Sequence, residues 1–257
     1  MYPTIFKYGD IVVSSYSVMV LIAYFVGYKV FEHEVVRRGH DEKVADISLI
    51  AVLIGGLGGA KLLFLYQHAT LSNLVDEPAR YLASGYSSLG GLFGSIILLL
   101  VVSRIKKINY WTILDMACPA LLIGYAIGRI GCFLVGDDYG IPTNLPWGIS
   151  FPQGSPPTLV PVHPTQVYDT ILISILFIFI WKIRKYNQTP GWLASIGFII
   201  LGTQRFLVEF IRTTTPSFLG EITQAQLFCL LLIFIFLIKL VTISLNSSKK
   251  LEQEHNY

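Results

Sequence analysis

The chain has 257 residues, of which 53% are hydrophobic and 14% charged, with a formal net charge of +3 and a mean hydropathy of +0.61. Soluble domains carry about a quarter charged residues, so this composition excludes one and suits a polytopic membrane protein. The small positive charge implies no nucleic-acid partner, because the basic residues gather in connectors between apolar runs.

Residues 1–10 lack the basic and short apolar regions of a cleaved leader, so the first apolar run is expected to be retained. Apolar runs at 15–35, 46–67, 88–103, 111–134, 166–181, 191–211 and 223–245 predict seven transmembrane helices, since about 20 residues cross the hydrocarbon core. The third and fifth are short for a span. The fold expected is all-α, one integral membrane domain over 1–257 with a long external loop at about 135–165.

Orientation follows from the connectors. Arg37, Arg38 and Lys43 lie in the first, Arg104, Lys106 and Lys107 in the third, Lys182, Arg184 and Lys185 in the fifth, and Lys249 and Lys250 in the tail. Only Lys7 precedes the first run, and only Arg80 is basic in the second connector. This alternation predicts an external N-terminus and a cytoplasmic C-terminus.

Glycines four apart, Gly55 and Gly59, Gly90 and Gly94, Gly124 and Gly128, predict close packing of the second, third and fourth helices. Cys118, Cys132 and Cys229 fall inside apolar runs, with no disulfide framework and no metal-ligand spacing, and read as packing residues. Lys61 reads as an internal counter-charge. The segment 135–165 holds seven of the twelve prolines, Asp137, Asp138, Trp147 and His163, the composition of an ordered, membrane-skimming loop; a passive Pro-rich connector is the alternative.

Arg129 lies within the fourth run, where a charge costs roughly 2.5 to 3.5 kcal/mol on insertion scales, so a function is its default reading. On the sixth run Arg205, Glu209 and Arg212 are spaced to share one helix face. A structural ion pair accounts for that stripe. Two arginines from different helices against one intramembrane glutamate leave a positive excess instead, which suits an anionic ligand such as a phospholipid phosphate.

The segments Gly128-Arg129-Ile-Gly131-x-Phe133-x-x-Gly136-Asp-x-x-Gly140-x-Pro142-Thr143, Pro146-Trp147-Gly148, His163-Pro164-Thr-Gln166-x-Tyr168-Asp169 and Arg205-Phe206-x-x-Glu209-Phe210-x-Arg212 resemble the bacterial prolipoprotein diacylglyceryl transferases. The resemblance runs from Tyr16 to Gln226. It implies transfer of the diacylglyceryl group of phosphatidylglycerol to the lipobox cysteine of a preprolipoprotein at the cytoplasmic membrane, without cofactor or metal, by a monomer. It also implies that Arg129, with Cys132, Gly140, Tyr168, Glu209 and Arg212, binds substrate, and that Tyr16, Asp137, His163 and Arg205 take catalytic roles.

The chain departs from the family pattern at Leu89, where the family has a histidine before Gly90-Gly91, a candidate base for the acceptor thiol. Cys132 and Val135 replace asparagines, Asp137 replaces a glutamate, and Ser15 and Ser17 replace the neighbours of Tyr16. His163, as base or as loop anchor, and Asp137, as base, loop cap or partner of Arg129, are the groups left to take a proton. A divergent phospholipid-binding member with another acceptor or no transfer is one alternative reading. A small transporter with Arg129, Arg205 and Glu209 lining its path is another, although no internal repeat supports it.

Overall fold

A computed structural model describes residues 2–9, 11–69, 85–213, 217–219 and 222–255. It divides into two compact units, Met1–Phe31 with Leu114–Tyr257, and Glu32–Ile113. Among the described residues seven helices run in chain order: α1 Ser15–Arg37, α2 Lys43–His68, α3 Ser88–Lys106, α4 Tyr110–Val135, α5 Thr165–Ile183, α6 Trp192–Glu209 and α7 Gln224–His255. Six of them, α2 to α7, are long and apolar enough to cross a bilayer. The chain is therefore a multi-pass membrane protein. α1 is not among the six, carrying Lys29, Glu32, Glu34 and Arg37 in its second half.

Among the described residues there are three short hairpins: β1 Thr4–Tyr8 with β2 Ile11–Ser14 ahead of α1, β3 Ile149–Phe151 with β4 Thr158–Val162 between α4 and α5, and β5 Ser217–Leu219 with β6 Ile222–Thr223 between α6 and α7. Residues 70–84 of the second connector, Arg80 among them, lie outside the described residues.

In the unit Glu32–Ile113, α2 and α3 meet through their glycines. A Cβ on Gly94 would lie 2.1 Å from the Gly55 carbonyl oxygen, and one on Gly59 would lie 2.3 Å from that of Gly90. Backbone thus touches backbone, as the four-residue spacing predicts. Gly94→Val is expected to drive the helices apart and lower the thermal midpoint of the detergent-solubilised protein by several degrees; an unchanged midpoint would contradict this packing. Lys61 donates to Gly85 O at 3.3 Å and lies over the Tyr86 ring at 4.8 Å.

In the other unit, α1 approaches α4 at small residues. A Cβ on Gly131 would sit 3.0 Å from Met19 Cβ and 3.3 Å from Tyr16 Cδ2, and one on Gly27 3.3 Å from Ala120 O. Gly124 faces Ala23 of α1, while among the described residues a Cβ on Gly128 would meet nothing within 4 Å. The Gly124–Gly128 spacing therefore marks an α1 contact at one glycine only. At the opposite end of α4, the fully buried carboxylate of Asp115 accepts the N–H groups of Gly191 and Ala194 at 2.9 and 2.8 Å. These are donors that the first turn of α6 would otherwise leave unpaired, so Asp115 pins the start of α6 to α4.

Candidate active site

The polar cluster gathers where α4 and α6 end and α1, α5 and α7 begin. α4 stops at Gly136, whose φ of 77° is open to glycine at little cost, and the N–H groups of Gly136 and Asp137 both return to Cys132 O at 2.8 and 3.2 Å. That closure sets Asp137 and Asp138 beside the last turn of α4. Asp138 has a φ of 60°, uncommon for a residue other than glycine but tolerated by aspartate. Its carbonyl accepts the Thr165 hydroxyl at 2.6 Å, and the Asp137 carbonyl accepts the Gln166 amide, tying the turn to the first residues of α5.

Arg129, 4% exposed, lies between two carboxylates. Its Nη1 donates to Asp138 Oδ2 at 3.0 Å, and its Nη2 pairs with Asp169 Oδ2 at 2.8 Å, outside hydrogen-bond geometry. Asp169, fully buried, is held by a bond from Gln204 Nε2 to its Oδ1 at 2.6 Å. Arg129 Nε is buried and has no hydrogen-bond partner among the described residues. Arg212 reaches the other oxygen of Asp138 with its Nη2 at 2.6 Å, and its Nε lies 3.7 Å from Glu209. Arg205 pairs with Glu209, which also accepts the Thr223 hydroxyl at 3.2 Å. Thr223 is positioned by a reciprocal cap with Gln226 at the start of α7, its hydroxyl accepting Gln226 N at 3.1 Å while Gln226 Oε1 accepts Thr223 N at 3.0 Å.

Two expectations change here. The partner of Arg129 is Asp138, not Asp137. The positive excess is met by neighbours outside α6: Arg129, Arg205 and Arg212 face Asp138, Asp169 and Glu209, because the turn after α4 and the start of α5 each bring a carboxylate inward. Arg212 also lies beyond α6, which ends at Glu209; a β-bridge to Gly140 holds it. Gly140 is where three segments converge, since a Cβ there would lie 2.4 Å from Ile211 O, 2.9 Å from His163 Cβ and 3.0 Å from Thr165 Cγ2.

Asp137 and Asp138 are driven apart electrostatically. Burial raises the Asp137 carboxyl above its ordinary range; its Cys132 hydrogen bond works against that, and the Asp138 charge adds to it. Burial acts on Asp138 too, but Arg212 and then Arg129 outweigh it and hold that carboxyl below its ordinary range. Adjacent carboxyls with divergent affinities for a proton can take different roles. Cys132 is buried, and its sulfur lies within 4.8 Å of carboxylate oxygens of Asp137 and Asp138.

His163 and Tyr168 form a second group. Trp147 Nε1 donates to the Tyr168 hydroxyl at 2.7 Å, and that hydroxyl lies 3.2 Å from His163 Nδ1. Indole can only donate, so the Tyr168 oxygen accepts from Trp147, and which group donates between that hydroxyl and His163 Nδ1 depends on the histidine tautomer. Behind this group the β3–β4 hairpin closes on Phe151, fully buried, stacked with Tyr139 at 5.4 Å and edge-on to Phe133 of α4 at 6.0 Å. The segment is ordered by these contacts. Tyr16, 44% exposed, packs its ring against Gly131, two residues after Arg129. Leu89, 41% exposed, belongs to the other unit. Asp138, Gln204 and Thr223 do not stand out in the sequence; a buried arginine's need for carboxylate partners is the available signal.

Fold and cluster together define the class, a multi-pass membrane protein with interlocked arginine–carboxylate pairs where five helices meet. Residues 3–242 match the profile of the family described as prolipoprotein diacylglyceryl transferase, and the chain belongs to that family. It is 30% identical over 240 residues to the phosphatidylglycerol–prolipoprotein diacylglyceryl transferase of Clostridium tetani, covering 91% of this chain and 95% of that protein. The protein of the same name from Geobacter sulfurreducens is 32% identical with 82% of each chain covered, and that from Haemophilus influenzae 36% identical, covering 71% of this chain and 68% of its own.

Proposed function

We propose that this chain transfers the diacylglyceryl group of phosphatidylglycerol to the lipobox cysteine thiol of a preprolipoprotein. The reaction takes place at the outer face of the bacterial cytoplasmic membrane, within a monomer. The carrying observation is the convergence of Arg129, Arg205 and Arg212 in one largely buried cluster with Asp137 and Cys132 at its edge. Guanidinium forks match phosphate oxygens two at a time, and in a site shielded from water they offset the charge that grows on a departing phosphate.

In the step proposed, the acceptor sulfur attacks the glyceryl carbon that bears the phosphate. A carbon–sulfur bond forms, the carbon–oxygen bond breaks, and glycerol phosphate leaves with the electron pair. The thiol, with an ordinary pKa near 8.5, loses its proton to a base. Asp137 is that base in this reading, because its raised affinity for a proton brings it closer to the thiol's than an ordinary carboxylate. His163, committed to Tyr168 through Nδ1, anchors the loop. Arg205 and Tyr16 face the reacting groups; Glu209 and Tyr168 orient Arg205 and the loop, while Cys132 and Gly140 shape the head-group pocket.

The reading places seven spans in the membrane, with α1 as the first, the N-terminus outside and the C-terminus cytoplasmic. The alternating basic connectors support it, and at about 35 Å the 23 residues of α1 are long enough. A reporter fused at Asn246 is expected to score cytoplasmic and one at Asn144 external; the reverse pattern would move the cluster to the wrong leaflet. The function itself is tested by expressing the chain in a bacterium depleted of its own transferase. Lipidated lipoproteins are expected to reappear, and their continued absence despite correct insertion would count against transfer.

A further inference from the structure

We propose that Asp138 is an internal stand-in for the substrate's phosphate, and that its carboxylate must swing out of the Arg129–Arg212 clamp before a phosphate can enter. The inference rests on the reading above, in which those arginines hold the phosphate. Its basis is geometric. One carboxylate oxygen of Asp138 meets Arg129 Nη1 at 3.0 Å and the other meets Arg212 Nη2 at 2.6 Å, so a single anion bridges guanidinium groups from two segments. A phosphate diester offers two oxygens for the same bridge.

The clamp and its occupant differ in burial. The arginine side chains are 5% and 6% exposed, that of Asp138 is 37% exposed, so the carboxylate has a way out and the cations do not. Its backbone need not move, since Thr165 holds the Asp138 carbonyl and the turn is fixed by the Gly136 closure. A rotation about the side chain suffices. Asp169 and Glu209, both fully buried at the side chain, stay behind as permanent counter-charges to Arg129 and Arg205. The carboxylate thus spares the cluster uncompensated buried guanidinium groups, at a cost in affinity: if it fills the clamp about nine tenths of the time, the apparent Kd rises about tenfold.

The test is calorimetric titration of purified full-length protein in detergent with glycerol phosphate and, separately, with phosphatidylglycerol in mixed micelles. Asp138→Asn and Asp138→Gly both tolerate the left-handed backbone, and glycine relieves it, so one variant guards against misfolding of the other. Both are expected to bind about tenfold more tightly than wild type, and KM for phosphatidylglycerol is expected to fall without a rise in kcat, because the product is also held longer. Affinity equal to or below that of wild type would overturn the inference and leave Asp138 as a structural counter-charge. If neither wild type nor variants bind glycerol phosphate or the lipid, the phosphate-holding role of the arginines fails first, and the stand-in with it.

Discussion

Arg129→Ala is expected to abolish measurable binding of phosphatidylglycerol, while Arg129→Lys retains part of it. Lysine keeps the charge but offers a point donor in place of a planar fork. The alanine variant also strips the fully buried Asp169 carboxylate of its cation, and breaking a buried pair in this way costs about 3 to 5 kcal/mol. Loss of binding and loss of stability therefore arrive together and need separating. Arg129→Leu combined with Asp169→Leu removes both charges, so it is expected to recover much of the stability and none of the binding. A fluorescent anionic-lipid probe and thermal unfolding in detergent, read on the same samples, distinguish the two. Lipid affinity undiminished in Arg129→Ala would reduce the cluster to a structural ion-pair network.

Asp137→Asn is expected to slow transfer by about 10²- to 10⁴-fold while lipid affinity persists, the range that a positioned general base supplies. The pH dependence gives a second signature. Because burial raises the Asp137 carboxyl, the wild-type rate should fall as pH drops through a value above the ordinary carboxylate range, where the protonated group can no longer accept the thiol proton. The asparagine variant should lose that acid limb. Linkage predicts no accompanying unfolding: an acid whose folded pKa is raised costs stability when it ionises, so above both pKa values the variant should be at least as stable as wild type. His163→Ala is expected to loosen the loop with a smaller effect on rate. An inactive wild type that gains transfer on Leu89→His would identify a lapsed member of the family, with the base assignment to Asp137 withdrawn.

The helices were legible because each had to be apolar along most of its length. α2 extends the run 46–67 by three residues at one end and one at the other, and α1 the run 15–35 by two. The short third and fifth runs stopped at Arg104 and Lys182, yet α3 and α5 continue to Lys106 and Ile183. Long basic side chains extend toward water while their backbone remains helical, so a charge ends a hydropathy run before it ends a helix. The three hairpins carried no comparable signal, their strands being two to five residues long.

Within the site, Arg129, Arg205 and Glu209 stood out because charge at membrane depth is costly. Arg212 was read onto the helix by its spacing, but it sits past the end of α6, where a bridge to Gly140 takes over. Asp138 was hidden by its neighbour. Two adjacent aspartates in a loop look alike in sequence, and only the backbone turn after Gly136 decides which of them meets the arginines. Gln204 was equally silent: a lone glutamine in an apolar run does not announce that it donates to Asp169.

Transfer is measured by incubating purified protein with phosphatidylglycerol micelles and a single-cysteine lipobox peptide, then quantifying both products by mass spectrometry. A thioether-linked diacylglyceryl peptide and free glycerol phosphate are expected in equal amounts, with none of either from a peptide whose cysteine is serine. Glycerol phosphate released without thioether, or neither product from a folded, lipid-binding protein, would contradict transfer to the thiol.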